Sequence, residues 1–278
     1  MRKKMLLVLF SVLVILATAV SPVGAVTDGE LDGNAHPYVV LLLMEVNGAP
    51  AFRCSGTLLS ATVLLTAGHC AGAPGEFSGM RVFWDSDVEA GRGGITNNYP
   101  FGGLNSVEAV SWAAHPLYPT APFFVHDVGV VVLQSPGVPV SVTSEYGTLP
   151  SVNQFDVFKT KRGLQDVSFT SVGYGLQESF PTQASFLASN TRTRYVAHPK
   201  LNQINGGIVG DFSMLLSNNH HTGGTCFGDS GGANFLGDSR VVAGITSFGL
   251  NGNCAGTGGV FRTDRQDVLD FINSYLNP

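Results

Sequence analysis

Short apolar runs broken by Gly, Pro, Asn and Ser set the rhythm of this chain. Tyr38–Met44 is unbroken and apolar, which suits a strand covered on both faces. Phe52–Leu59 and Thr62–Thr66 read as two shorter strands separated by the Ser60-Ala61 turn. Met80–Trp84, Val107–Ala113 and the β-branched run that opens at His126 and ends at Leu133 continue the series. The second half repeats the style with Val167–Tyr174, Thr191–Ala197, Ile208–Leu216, Ala233–Leu236, Arg240–Phe248 and Gly258–Arg262. Only one helix is predicted. Thr263-Asp264-Arg265-Gln266 fits a capping box, and Val268, Leu269, Ile272, Tyr275 and Leu276 then share one face, giving a helix over 264–276. Short strands, many turns and 35 glycines favour β-barrels or a sandwich over an α/β sheet. Gln134–Pro150, which holds Pro136, Gly137, Pro139, Gly147 and Pro150, is the best linker; the halves share a style but no detectable sequence repeat.

The N-terminus has a different pattern. Arg2, Lys3 and Lys4 precede an uncharged apolar run from Met5 to Val20, and Val23-Gly24-Ala25 offers small residues for cleavage. Residues 1–25 therefore read as a secretory signal, too short in their apolar part for a membrane span. Its removal leaves 253 residues and takes the formal charge from −5 to −8, because it carries three cations and no acid. An acidic chain with 13 % charged residues is unlike a disordered protein, and it argues against nucleic acid and anionic membrane surfaces as partners. Four cysteines remain, Cys54, Cys70, Cys226 and Cys254. An even count in an exported chain suggests two disulfides, with three pairings open. Zinc binding is disfavoured, since no CxxC pair occurs, and His220-His221, in Asn218-Asn219-His220-His221, reads as a solvated loop.

The chemistry gathers on Cys226-Phe227-Gly228-Asp229-Ser230-Gly231-Gly232. A serine between glycines can sit on a sharp turn, with the Gly228 and Ser230 N–H groups directed at an oxygen that becomes negative in acyl transfer. Such a serine needs a base. Of seven histidines, His36, His69, His115, His126, His198, His220 and His221, only His69 follows a buried-looking strand and precedes a cysteine that could hold its backbone. A base needs an orienting carboxylate, and Asp127 opens an apolar run where a charge requires a partner. Its neighbour His126 should point to the opposite side.

These motifs together resemble the trypsin/chymotrypsin family of serine endopeptidases, in a secreted, bacterial-style form. The resemblance rests on Thr66-Ala67-Gly68-His69-Cys70, Asp127-Val128-Gly129-Val130-Val131, Gly228-Asp229-Ser230-Gly231-Gly232 and Ser247-Phe248-Gly249, and covers nearly all of the chain after the signal. It implies an all-β fold of two six-stranded antiparallel barrels with a C-terminal helix. The barrels would occupy 26–148, with His69 and Asp127, and 149–278, with Ser230. His69 would be general base and acid, Asp127 its orienting group, Ser230 the nucleophile, and the Gly228 and Ser230 N–H groups the oxyanion hole. Disulfides Cys54–Cys70 and Cys226–Cys254 are implied, as is a Ser247 hydrogen bond to Asp127. Ser247, Phe248 and Gly249 would pair with the substrate backbone, and Phe227 would border the site.

The resemblance also implies a specificity pocket. Its base would be Gly224, where trypsin-like members carry aspartate, its walls Gly249 and Gly259, and Thr225 would add a hydroxyl. Without a buried acid, cleavage after Arg or Lys is disfavoured and large apolar or aromatic residues are expected. A glutamyl-specific enzyme is the alternative specificity, disfavoured by Thr246 where such relatives often place histidine. A non-catalytic binding protein on the same fold is the alternative function. Gly68 replaces a more usual alanine, and Met214-Leu215-Leu216 lacks a cysteine common in the family. In the family a new N-terminal amine pairs with the aspartate before the nucleophile, so Val26 and Asp229 are the expected activation pair, exposed by signal removal itself. Expected partners are a protein or peptide substrate and a protein protease inhibitor, for a secreted monomer without cofactor or metal and without stable membrane association.

Overall fold

Residues 26–118, 122, 124–159, 166–177, 191–205, 207 and 210–277 are described by a computed structural model of the chain. The expected signal segment 1–25 lies outside them. The apolar run forms β2 (Val39–Val46), whose first six residues are buried, as a strand covered on both faces requires. It pairs antiparallel with β3 (Ala49–Leu58) and β5 (Gly79–Phe83). With β4 (Val63–Thr66), β6 (Ser106–Ala114) and β7 (Gly129–Leu133) these close a six-stranded barrel in the order β2-β3-β4-β7-β6-β5. Closure removes the exposed strand edges that an open sheet would present.

The second half forms a curled sheet of eight strands. Its chain order is β8 (Phe169–Gly173), β9 (Tyr195–Ala197), β10 (Leu201–Ile204), β11 (Ser213–Asn218), β12 (Ala233–Leu236), β13 (Val242–Gly249) and β14 (Gly256–Arg262). The eighth member, β1 (Glu30–Leu31), comes from the start of the chain and pairs with β9, giving the spatial order β1-β9-β8-β12-β13-β14-β11-β10. The sequence predicted six strands here; β1 and β10 were not foreseen, because their few residues carry no apolar alternation. The missing cysteine of β11 has a packing substitute. Met214 and Leu216 are buried in a cluster with Phe155, Phe169 and Val260.

Two features join the halves. Arg194, just before β9, is fully buried. Its guanidinium donates to Asp32 (2.8 Å), to the Val39 carbonyl of β2 (2.9 Å) and to the Tyr174 hydroxyl (2.9 Å). Breaking one side of such a pair costs about 3–5 kcal/mol. The other is α2 (Gln266–Leu276), which packs against β4 and β7 of the first barrel through Val268, Leu269 and Ile272. A shorter helix, α1 (Gly68–Ala71), follows β4. The expected capping box at the start of α2 is not formed. Arg265 is the cap residue and makes no side-chain cap; the Thr263 hydroxyl donates to the Val242 carbonyl. Asp264 instead accepts from the Phe155 N–H and the buried Arg262 guanidinium, so tertiary contacts have claimed both polar side chains.

A serine, a histidine and two aspartates

The single turn of α1 carries His69. Cys70 beside it is bonded to Cys54 of β3, which fixes the turn to the barrel wall. Asp127 lies two residues before β7, with no exposed side-chain surface. Its carboxylate accepts from the His69 N–H at 2.9 Å and lies 3.0–3.1 Å from His69 Nδ1. Ser247 Oγ donates to its other side at 2.5 Å. Three donors thus replace the water that burial removes. Burial disfavours protonation of His69, but the hydrogen bond and charge of Asp127 outweigh it and raise the imidazole above its usual value. That environment holds Nδ1 protonated and leaves Nε2 as the basic atom. His126 points elsewhere, as expected. It stacks on His115 with centroids 4.8 Å apart and approaches Asp267 of α2 at 3.3 Å.

Ser230 is held by a turn whose neighbours must be glycine. Gly228 and Gly231 have φ of +98° and +82°, and a Cβ on Gly231 would lie 2.1 Å from Thr66 Oγ1. Ser55 of β3 clamps this turn from the first barrel. Its N–H donates to the Ser230 carbonyl (2.8 Å) and its hydroxyl to the Gly228 carbonyl (3.0 Å), while accepting from the Tyr174 N–H (2.9 Å). Ser55 thus holds two carbonyls of the turn, and neither the Gly228 nor the Ser230 N–H enters a hydrogen bond among the described residues. Two unspent donors beside a hydroxyl are what an incoming oxyanion requires. The sequence reading missed Ser55; its only signal was a small polar residue in an otherwise buried stretch.

Asp229 points the other way. It is fully buried and accepts from the Gly175 and Cys226 N–H groups at 2.8 and 2.9 Å. Burial dominates over these bonds and over the nearby Arg53 charge, and pushes its carboxyl up to about 7. Val26 is buried too, and Thr27 pairs with Gly224, taking its N–H at 3.0 Å. The start of the described chain is therefore stitched to the strand that leads into the serine turn.

Beside Ser230 opens a cleft of about 500 Å³. Of the expected positions, Thr225, Phe227, Ser247, Phe248 and Gly249 line it, together with Cys226 and Cys254, which are disulfide-bonded. Leu250, Asn251 and Gly252 complete its rim. No charged side chain lines it among the described residues. Two expectations need correction. Gly259 does not form the wall: a Cβ there would lie 2.3 Å from the Phe248 ring, so its place is beneath that ring. Its neighbour Gly258 faces Thr225 Oγ1, 3.0 Å from where its own Cβ would be. Nor does Gly224 line the cleft, because Asn218 fills the space beside it, with Cγ 2.3 Å from a Cβ on Gly224. Asn218 is buried and bonds both Thr27 and the Thr225 carbonyl. It belongs to β11, not to the solvated loop; the following His220 is exposed and pairs with Asp28 at 2.9 Å. Gly68 also has a stricter role than expected, since a Cβ there would meet the Tyr118 ring at 3.0 Å and the Val128 nitrogen at 3.1 Å.

A sequence model of the Trypsin family matches residues 28–272. Brachyurin from Leptuca pugilator is 27 % identical over 225 residues, covering 80 % of this chain and 84 % of that protein. Chymase from Papio hamadryas is 27 % identical over 153 residues, and the match spans 55 % of each. Serine protease Hayan of Drosophila melanogaster is 22 % identical over 266 residues, covering 91 % of this chain and 39 % of that protein. The match thus spans about half the length of the chymase and less of Hayan. In fold the chain is similar to HL collagenase, with a TM-score of 0.66 at 19 % identity, covering 91 % of this chain and 99 % of that one.

Proposed function

Since this chain belongs to the trypsin family of serine-type endopeptidases, we propose that it is a secreted endopeptidase that cuts protein or peptide chains through an acyl-enzyme. One observation carries the reading: a buried Asp127 carboxylate is bound both to His69 Nδ1 and to Ser247, which lines the same cleft as Ser230, a serine with two unspent N–H donors at its turn. His69 Nε2 takes the Ser230 proton as Oγ attacks the scissile carbonyl. The tetrahedral oxyanion is received by the Gly228 and Ser230 N–H groups. His69 then gives its proton to the leaving amine, and water repeats the cycle on the acyl-enzyme. Asp127 stays ionised and steadies the imidazolium. The Ser247–Gly249 segment offers its backbone as a strand partner to the substrate.

Specificity follows from the uncharged cleft. A large apolar or aromatic side chain before the scissile bond gains burial there, whereas Arg, Lys or Glu would lose water without finding a countercharge. Two disulfides and an acidic composition suit export, and no helix among the described residues is long and apolar enough to cross a membrane. Cleavage after Ala25 would free the Val26 amine close to the segment that Thr27 already joins, where Asp229 has no ion-pair partner among the described residues. Family proteases meet protein inhibitors in this cleft, and the same is proposed here, for a monomer.

Labelling of Ser230 by an aryl phosphonate, followed by a peptide library, tests the reading. Labelling that is lost in Ser230→Ala and in His69→Ala is expected, with cleavage after Phe, Tyr or Leu and an acidic limb of activity lying above the usual histidine value. Absence of labelling in protein that begins at Val26 would favour a binding protein instead, and dominant cleavage after Arg, Lys or Glu would overturn the specificity.

A further inference from the structure

A second cleft, of about 270 Å³, reaches the serine turn through Arg53. Arg53, Arg92 and Arg192 line it with Phe52, Tyr99 and Pro100, and its described lining holds no carboxylate. The scaffold is built for these cations. Arg92 and Arg192 hold their guanidinium carbons 5.8 and 5.5 Å from the centre of the Tyr99 ring, and Arg192 Nε donates to the Tyr99 hydroxyl at 3.0 Å. Glu89 accepts a hydrogen bond from Arg92 at 3.2 Å and forms an ion pair with Arg192 at 2.9 Å. Holding like charges around one ring is costly, and a further carboxylate would relieve it. The overall charge of the chain is negative, so this is a local concentration of the opposite sign.

Its position relates it to the reaction. Arg53 precedes Cys54 and Ser55 on β3. Its Nε lies 3.4 Å from where a Cβ on Gly228 would be. A peptide that places one side chain in the cleft lined by Thr225 and Phe248 crosses Ser230 and leaves over Gly228, towards Arg53. We propose that this cleft binds an acidic side chain of the substrate on the leaving-group side, so that the enzyme selects cleavage sites followed closely by Asp or Glu. The proposal rests on the endopeptidase reading. A carboxylate engaged by guanidinium forks holds the departing segment in register, while a lysine there meets cations of its own sign.

The test uses quenched peptides that share an aromatic residue before the scissile bond and carry Glu, Gln or Lys at one of the three positions after it. At one position, Glu is expected to exceed Lys by about tenfold in kcat/KM, with Gln between, and the gap should narrow as salt is raised. Arg92→Glu, at a largely exposed position, should bring the ratio to one or below, and Arg92→Lys should keep its direction. Equal cleavage at all three positions, or a ratio unmoved by both Arg92→Glu and salt, overturns the proposal. Binding of the same peptides to Ser230→Ala protein decides the subsite without turnover. If wild-type protein cuts nothing while that binding still ranks Glu over Lys, the hydrolase reading fails and the subsite stands; if the binding shows no ranking, the subsite fails.

Discussion

At the scale of single residues, Asn218 fills the space beside Gly224, the position expected at the pocket floor. The absence of an acid at Gly224 was legible in the sequence. What fills the space was not, because Asn218 sits in a polar run with two histidines and looked solvated. Only the pairing of β11 with β14 turns it inward. A consequence follows for engineering. Gly224→Asp alone should not install cleavage after Arg or Lys, because the new side chain collides with Asn218. Its melting temperature should fall, by an amount worth about 1–3 kcal/mol. Pairing it with Asn218→Gly should recover stability and allow some cleavage after basic residues. Equal stability of Gly224→Asp and wild type would show that the floor is softer than described. Gly259 gives the same lesson: position in the sequence put it in the right strand, but a one-residue offset decided whether it met the pocket or the Phe248 ring.

Among elements, the segment from Val26 to Leu31 departs furthest from its sequence reading. It was assigned to the first half but is bonded into the second sheet, through Thr27 at Gly224 and β1 at β9. Two-residue strands have no periodicity to read, so the pairing is visible only in the fold. This placement gives Asp229 its importance. Its carboxyl is raised to about 7, above the ordinary value of 3.8, so the folded state holds a proton that the unfolded chain releases. Stability from that group is present below the ordinary carboxylate range and is lost as pH rises towards 7. For protein still carrying residues before Val26, unfolding by urea should become easier over this window, by up to about 4 kcal/mol. Asp229→Asn should flatten that dependence. Protein beginning at Val26 should show a weaker loss, since its free amine supplies a positive charge. Identical pH profiles for the two forms would remove the proposed activation pair. By contrast, the sequence reading places β12 at its observed limits, between Gly232 and Gly237, and β2 within two residues, because the unbroken apolar run of β2 leaves no choice of face.

On the scale of the whole molecule, strand rhythm leaves barrels or a sandwich open and the family resemblance implies the two-barrel plan, which the chain adopts with one closed barrel and one curled sheet. What motifs could not convey is how the halves are tied. Arg194 reaches the Val39 carbonyl, α2 crosses to β4 and β7, and Ser55 holds two carbonyls of the serine turn. The first two ties are buried and strong; the third is a pair of hydrogen bonds, each worth about 1 kcal/mol net.

That difference makes Ser55 a fuse. A slight parting of the halves breaks its two bonds before either half loses a strand, and the Gly228–Asp229 and Ser230–Gly231 peptides, no longer held by their carbonyls, let the turn relax so that the Gly228 and Ser230 N–H groups lose their aim. The serine would remain in place while the power to stabilise an oxyanion goes. In rising urea, hydrolysis of a peptide substrate should therefore disappear at a lower concentration than the far-ultraviolet circular dichroism signal. Ser55→Ala should lower kcat by about tenfold to a hundredfold, with a smaller change in KM. Coincident loss of activity and secondary structure would mean that the clamp yields only with the fold itself. An enzyme arranged in this way switches off by loosening, well short of exposing its core.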